Sequence, residues 1–316
     1  MTFFNLLHAK PIENHEHYFG SAASQTIPTN WRTFTDQTLT SSNIVDLFAN
    51  RIPVIRQQGF LKPAELEKML EIVRRHQLDE YDTEFTWPRV GIAGITQYDH
   101  IRGMVIFLVK PRVRLKVEQD PPSYFRKVSE ARCLQKRWKS EAGIDILERV
   151  IAILRTASAM PVRRASTDEN DYFAGVLRAM DRGIGVHADF APYEAAGWSI
   201  DRIVGQLTWN ILLNRISGGD TIIYDRQWHA PDDDESWRKP FPQDSYQPQM
   251  LEGHPFKAMR AIPGDLTLFN PRNFHEVKPC DIDREHPIAD IRFTISSFVG
   301  YLPSQGDEPA TLVLWS

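Results

Sequence analysis

The chain has 316 residues, 42% hydrophobic and 11% aromatic: enough for a sizeable core, too few for two large catalytic domains. A formal charge of −4 and a pI near 6.2 argue against an electrostatic binder of nucleic acid, which would carry a basic balance. Two cysteines, Cys133 and Cys280, exclude a disulfide framework and a Cys-based zinc site and point to a reducing compartment.

Met1 to Lys10 lacks the basic start and long apolar stretch of a secretory signal, and no run is long enough to span a membrane, so a cytoplasmic protein is expected. Residues 1 to about 40 are polar and turn-rich, and His15-Glu16-His17 among them reads as a solvated segment before a metal site. A helix is predicted over Ser41 to Asn50, with Asn43 as its cap and Ile44, Val45, Leu47 and Phe48 as its apolar positions. A strand follows over Ile52 to Gln57. The clearest helix covers Lys62 to Gln77, where Pro63 stands near the start and Leu66, Met69, Leu70 and Val73 recur at helical spacing. Such a helix packs against the outside of a sheet as scaffold. Trp87 to Tyr98 is rich in glycine and aromatics, and Gly103 to Leu108 is an apolar strand. In Lys110 to Glu118 basic residues (Lys110, Arg112, Arg114, Lys116) alternate with apolar ones, a solvated strand face in preference to an anion-binding stripe. Pro121-Pro122 breaks the chain, and charged helical patterns run to about Arg155.

The second half is strand-rich. Asp171 to Asp181 is aromatic and branched, Arg182 to Val186 turns the chain, and His187-Ala188-Asp189 follows at once. Side chains alternate along an extended chain, so His187 and Asp189 point the same way and Ala188 away. Gln206 to Arg215 alternates polar and apolar through Asn210, Gly218-Gly219 makes a tight turn, and Asp220 to Asp225 is a short apolar strand. Residues 226–255 hold Trp228, His229, a run of acids, Trp237, Tyr246 and several prolines without periodicity, which suits either a flap over a site or a surface excursion. Phe256 to Ile262 leads through Pro263-Gly264 into Asp265 to Asn270. His275 sits in a turn with Pro271 and Asn273, and Ile291 to Phe298 alternates cleanly, with Arg292 and Thr294 on one face.

Two imidazoles and one carboxylate on one face of a metal leave three positions open, the ligand set of non-haem Fe(II) oxygenases. With ten His and 41 acids, about one His-x-acid tripeptide is expected by chance, so the surroundings carry the case. Taken in order, His187-Ala188-Asp189, Gly218-Gly219-Asp220-Thr221, Gly264 to Phe269, His275, and Arg292 with Thr294 resemble the Fe(II)/2-oxoglutarate-dependent dioxygenase superfamily across about residues 171–300. The resemblance implies a mixed α and β fold: a double-stranded β-helix (jelly-roll) core over 171–305, with helices from an N-terminal support region, 1–170, packed outside it in one domain. It implies that His187, Asp189 and His275 hold Fe(II), and that Arg292, helped by Thr294, grips the far carboxylate of 2-oxoglutarate. The 17 residues from His275 to Arg292 exceed the usual spacing and fit a charged hairpin over about Asp281 to Asp290, with Arg260 and Arg272 as alternatives. His229 is the rival iron ligand. Asn210 either contacts the co-substrate or fills the barrel interior.

Bound in this way, iron, O2 and 2-oxoglutarate would oxidise a C–H bond while the co-substrate loses CO2 to give succinate; the protein's part is orientation and exclusion of water. Related halogenases, the resemblance implies, replace the acidic ligand with Gly or Ala to make room for halide, so Asp189 disfavours halogenation. Hydroxylation is the default expectation for a small molecule, an amino acid or derivative in biosynthesis, with oxidative cyclisation or desaturation as rival outcomes. An iron oxidase that ignores 2-oxoglutarate and a non-enzymatic cupin-like binding protein are the other classes. Gln97, Tyr98, Arg178 and Thr221 are named as pocket residues by position. No nucleic-acid or membrane partner is expected, and the oligomeric state, a homodimer included, is left open.

Overall fold

The computed structural model describes residues 31, 35–79, 91–97, 121–180, 183–239, 245–281 and 291–316. Its described helices lie mainly in the first half: α1 (Ser41–Phe48), α2 (Pro63–Arg74), α3 (Pro121–Ala131), α4 (Cys133–Arg137) and α5 (Ile146–Ser158), with short α6 (Ala191–Glu194) and α7 (Asp232–Trp237) later. The strands are β1 (Ile55–Gln57), β2 (Gly91–Ala93), β3 (Val162–Arg164), β4 (Val176–Met180), β5 (Ile184–His187), β6 (Gly205–Leu212), β7 (Thr221–Gln227), β8 (Phe256–Met259), β9 (Leu266–Phe269), β10 (Asn273–Val277), β11 (Arg292–Leu302) and β12 (Thr311–Trp315).

They form two sheets. The larger has eight strands in the order β1-β9-β6-β11-β12-β3, with β4 also on β11 and β2 on β4; the smaller runs β5-β10-β7-β8. Every pairing is antiparallel except β12 with β3. The chain is therefore mixed α and β, as expected.

Alternation along β11 decides which face does what. Ile295 pairs with Ile211 and Leu177, and these bury together with Trp209, Leu266 and Leu268 against apolar residues of α1, α2 and α5. Each such side chain, removed fully from water, contributes about 1.5–3 kcal/mol. The neighbouring register positions carry the opposite face: Arg292, Thr294, Ser296, Arg178, Asn210 and Thr267, polar where the other face is apolar. α2 is thus the scaffold helix its periodicity predicts, with Leu66, Met69, Ile72 and Val73 buried.

Several boundaries differ from the sequence expectation. α1 begins at Ser41, and its cap is Thr40, whose hydroxyl accepts from the Asn43 N–H at 3.2 Å; Asn43 lies inside the first turn. His275 is in the middle of β10, not in a turn, because β10 is held between β7 and β5 and the turn ends before Asn273. Residues 226–255 are not one long loop. β7 runs to Gln227, α7 follows, and Trp228, Tyr246, Met250 and Leu251 pack on Val186, Phe190 and Phe274. Val186 and Phe274 alternate with His187 and His275, so this segment covers the back of the smaller sheet. His15-Glu16-His17, Tyr98, the strand expected over Gly103 to Leu108, the basic stripe from Lys110 and most of the expected hairpin before Arg292 lie outside the described residues.

Candidate metal centre

β5 ends at His187, and β10 lies antiparallel beside it with His275 opposite His187. The two rings are 4.1 Å apart between centroids. Asp189 follows two residues on, its N–H donating to the Pro271 carbonyl at 2.9 Å, so the turn ahead of β10 also fixes the carboxylate-bearing residue. The potential ligand atoms of His187, Asp189 and His275 all lie within 4.8 Å of one another.

Both imidazoles are set for ligation. His187 Nδ1 lies 2.8 Å from the Gly185 carbonyl, and His275 Nδ1 lies 2.9 Å from the Asn273 carbonyl. A carbonyl only accepts, so each Nδ1 carries a proton and Nε2 is the ring atom left for a metal. Burial, then the neighbouring His187, hold the His275 ring well below the usual imidazole range, so it is neutral. Asp189 Oδ2 stands 3.7 Å from His275 Nε2. That exceeds a hydrogen bond, and a neutral ring makes no ion pair there; a cation bound by both atoms would account for the spacing. Two imidazoles and a carboxylate are the donor set that suits Fe(II).

A second group of the expected residues is carried by β11. Arg292 is 8% exposed, and its Nε has no hydrogen-bond partner among the described residues. Burial pulls its guanidinium down from the usual range, opposed by Cys280 and Asp220. A guanidinium stays charged at any ordinary pH, so a buried one with an unused donor is suited to a carboxylate. Arg292, Thr294, Asn210 and Thr267 of the larger sheet and Thr221 and Met259 of the smaller line one cavity. The co-substrate pair expected from the sequence and two further named residues, Asn210 and Thr221, therefore converge on one space.

The other expected residues fall elsewhere. Arg178 shares the inward face with Thr294, and its Nη1 donates to Ser296 Oγ at 2.6 Å. Gln97 does not line the cavity. It is buried against the C-terminal strand, its N–H on the Ser316 carbonyl at 3.0 Å and its amide facing Ser316 and Trp315. Arg272 does not line this cavity: it stacks on Phe190 and Tyr193 and donates to the Trp228 carbonyl and Tyr193 hydroxyl. Arg260 is an exposed residue at the cavity's edge. His229 stands outside the cluster, its N–H on Asp233. Sequence reasoning missed Ser296, the partner of Arg178, which two-residue alternation from Thr294 would have found.

Residues 67–309 match the model of the carrier-protein-independent halogenase WelO5 family. The chain belongs to that family. WelO5-family proteins are Fe(II)/2-oxoglutarate-dependent enzymes that use O2 as oxidant, in keeping with the triad and the buried arginine. The chain is also 38% identical over 239 residues to leucinostatins biosynthesis cluster protein S of Purpureocillium lilacinum, covering 75% of this chain and 90% of that protein. Among solved structures it is similar to an N-substituted L-amino acid dioxygenase of Burkholderia ambifaria, with a TM-score of 0.51 and 13% identity over 87% of this chain and 91% of that one. That likeness concerns the fold alone. Among the described residues no helix is long and apolar enough to cross a membrane.

Proposed function

We propose that this WelO5-family protein hydroxylates a C–H bond of a small molecule, an amino acid or derivative in a biosynthetic pathway, and does not halogenate it. The observation that carries this is Asp189: its carboxylate stands with the two imidazoles, all ligand atoms within 4.8 Å, where a halogenase would need a vacant place for halide. The biosynthetic setting is supported by the relative from a leucinostatin cluster. In this reading the two sheets are the walls of a double-stranded β-helix. His187, Asp189 and His275 hold Fe(II). Arg292 and Thr294 hold the far carboxylate of 2-oxoglutarate in the cavity that Asn210 and Thr221 also line.

When bound, iron and 2-oxoglutarate activate O2 to oxidise an unactivated C–H bond, the co-substrate leaving as succinate and CO2. The chain's own residues do the rest. The Gly185 and Asn273 carbonyls hold the two rings in the tautomer that presents Nε2. The Asp189 carboxylate offsets part of the metal's charge. The buried guanidinium orients the co-substrate from the opposite sheet, where the apolar back of that sheet keeps water away.

An anaerobic titration with Fe(II) and then 2-oxoglutarate, read by the metal-to-ligand charge-transfer band, tests the site. The band is expected in wild type and weakened in Asp189→Ala and Arg292→Ala. Iron binding without a band would overturn the 2-oxoglutarate assignment, and no iron binding would overturn the oxygenase itself. Product analysis in the presence of chloride and bromide tests the reaction. Gain of one oxygen supports hydroxylation, loss of two hydrogens means desaturation or ring closure, and a halogen isotope pattern would overturn the role given to Asp189.

A further inference from the structure

The turn over residues 270–273 touches two of the three candidate ligands. The Pro271 carbonyl accepts from the Asp189 N–H at 2.9 Å, and the Asn273 carbonyl accepts from His275 Nδ1 at the same distance. Beside its local bonds, from the Asn273 N–H to the Asn270 carbonyl and from the Arg272 N–H to Asn270 Oδ1, the turn is held from far away in sequence. The Asn273 side chain is wholly buried, and its Nδ2 donates to Asn50 Oδ1 at 2.6 Å. Its Oδ1 has no partner among the described residues, so the Asn50 contact alone satisfies this amide there. Asn50 in turn donates through Nδ2 to Asp225 Oδ1 on β7, at 3.3 Å.

Asn50 is delivered by the end of α1. Its φ is +56°, its N–H returns to the Leu47 carbonyl at 3.1 Å, and the next N–H, of Arg51, returns to Asp46 at 2.8 Å. These two bonds are the Schellman closure of a helix, which demands a left-handed residue and favours glycine, then asparagine. Glycine would close the helix as well. Asparagine adds an amide that reaches the metal turn.

We infer that Asn50 and Asn273 are positioning residues for the metal centre: their amide bridge fixes the 270–273 turn, and through it the ring of His275 and the backbone of Asp189. The inference rests on the ligand assignment proposed above. Outer partners of a metal ligand commonly carry tenfold or more in affinity, because they fix tautomer and ring direction before the metal arrives.

Asn50→Gly is the clean test, since it keeps the helix closure and removes only the amide. Anaerobic Fe(II) binding, the charge-transfer band with 2-oxoglutarate and the urea midpoint of the metal-free protein are measured for wild type, Asn50→Gly, Asn273→Ala, the double variant and His275→Ala. The expected result is Fe(II) affinity about tenfold weaker in Asn50→Gly, with a displaced band, and a urea midpoint lowered by the orphaned Asn273 amide but still far above the titration conditions, so that affinity is read on folded protein. The double variant should be no weaker than Asn273→Ala alone, because both remove one bond. Wild-type affinity and band in Asn50→Gly, or losses that simply add in the double variant, would overturn the inference. If wild type binds Fe(II) no better than His275→Ala, the ligand assignment itself fails, and the inference with it.

Discussion

At the scale of single residues, the site depends on what is absent as much as on what is present. Gly219 turns the chain at φ +71°, and a Cβ there would lie 3.2 Å from Arg292 Cδ and 3.3 Å from Cys280 Sγ. Gly219→Ala therefore strains the turn, by something on the order of 1 kcal/mol, and pushes on the one guanidinium proposed to hold the co-substrate. We expect weaker 2-oxoglutarate binding with Fe(II) affinity close to wild type, measured by the two stages of the anaerobic titration. A loss of Fe(II) affinity of equal size would mean that the turn supports the metal ligands as well.

Among the elements, α2 has an electrostatic clasp. Glu65 accepts from the Lys62 N–H at its own helix start and from Arg149 of α5 at 2.8 Å. The Arg149 hydrogen bonds, then the Lys62 N–H, hold its carboxyl down at about 2, against an ordinary 4.5. A carboxyl lowered on folding stabilises the protein above its unfolded pKa and loses that contribution as pH falls toward the folded one, here between pH 4.5 and about 2. The pair is 25% and 36% exposed, so the effect is below about 1 kcal/mol. Glu65→Gln should lower the urea midpoint above that window and match wild type at its acid end; an equal deficit at both ends would assign the loss to packing.

Across the whole molecule, one sheet separates scaffold from chemistry, and neighbouring residues of β11 test the division. Ile295 packs among the helix-facing apolar residues, whereas Thr294 faces the cavity. Ile295→Ala should destabilise by about 2–5 kcal/mol, as buried truncations do, and leave iron affinity per folded molecule unchanged. Thr294→Ala should do the reverse, sparing stability and weakening 2-oxoglutarate by about 1 kcal/mol, roughly fivefold. Urea unfolding alongside the titration would show whether stability and co-substrate affinity separate in this way.

The local signals in the chain were sufficient for much of this. Alternation identified β11 and the shared face of Arg292 and Thr294, and helical spacing identified α2, because each depends on neighbours a few residues apart; the order of His187, Asp189, His275 and Arg292 along the chain pointed to the iron chemistry. Asn43 as a cap and the placing of His275 in a turn went wrong for the converse reason. A cap is chosen by where the helix starts, and His275 by the strands β5 and β7 on either side of it. The bridge from Asn50 to Asn273 joins a helix end to a strand more than two hundred positions away, and the packing of 245–251 behind the smaller sheet joins segments with no common period. Such contacts leave no trace in local pattern, since each residue alone is an ordinary asparagine or aromatic. The sequence by itself determined the ligand types, their order and the two-faced strands that carry them; only the tertiary structure decided which donors face one point, and which distant side chains hold them there.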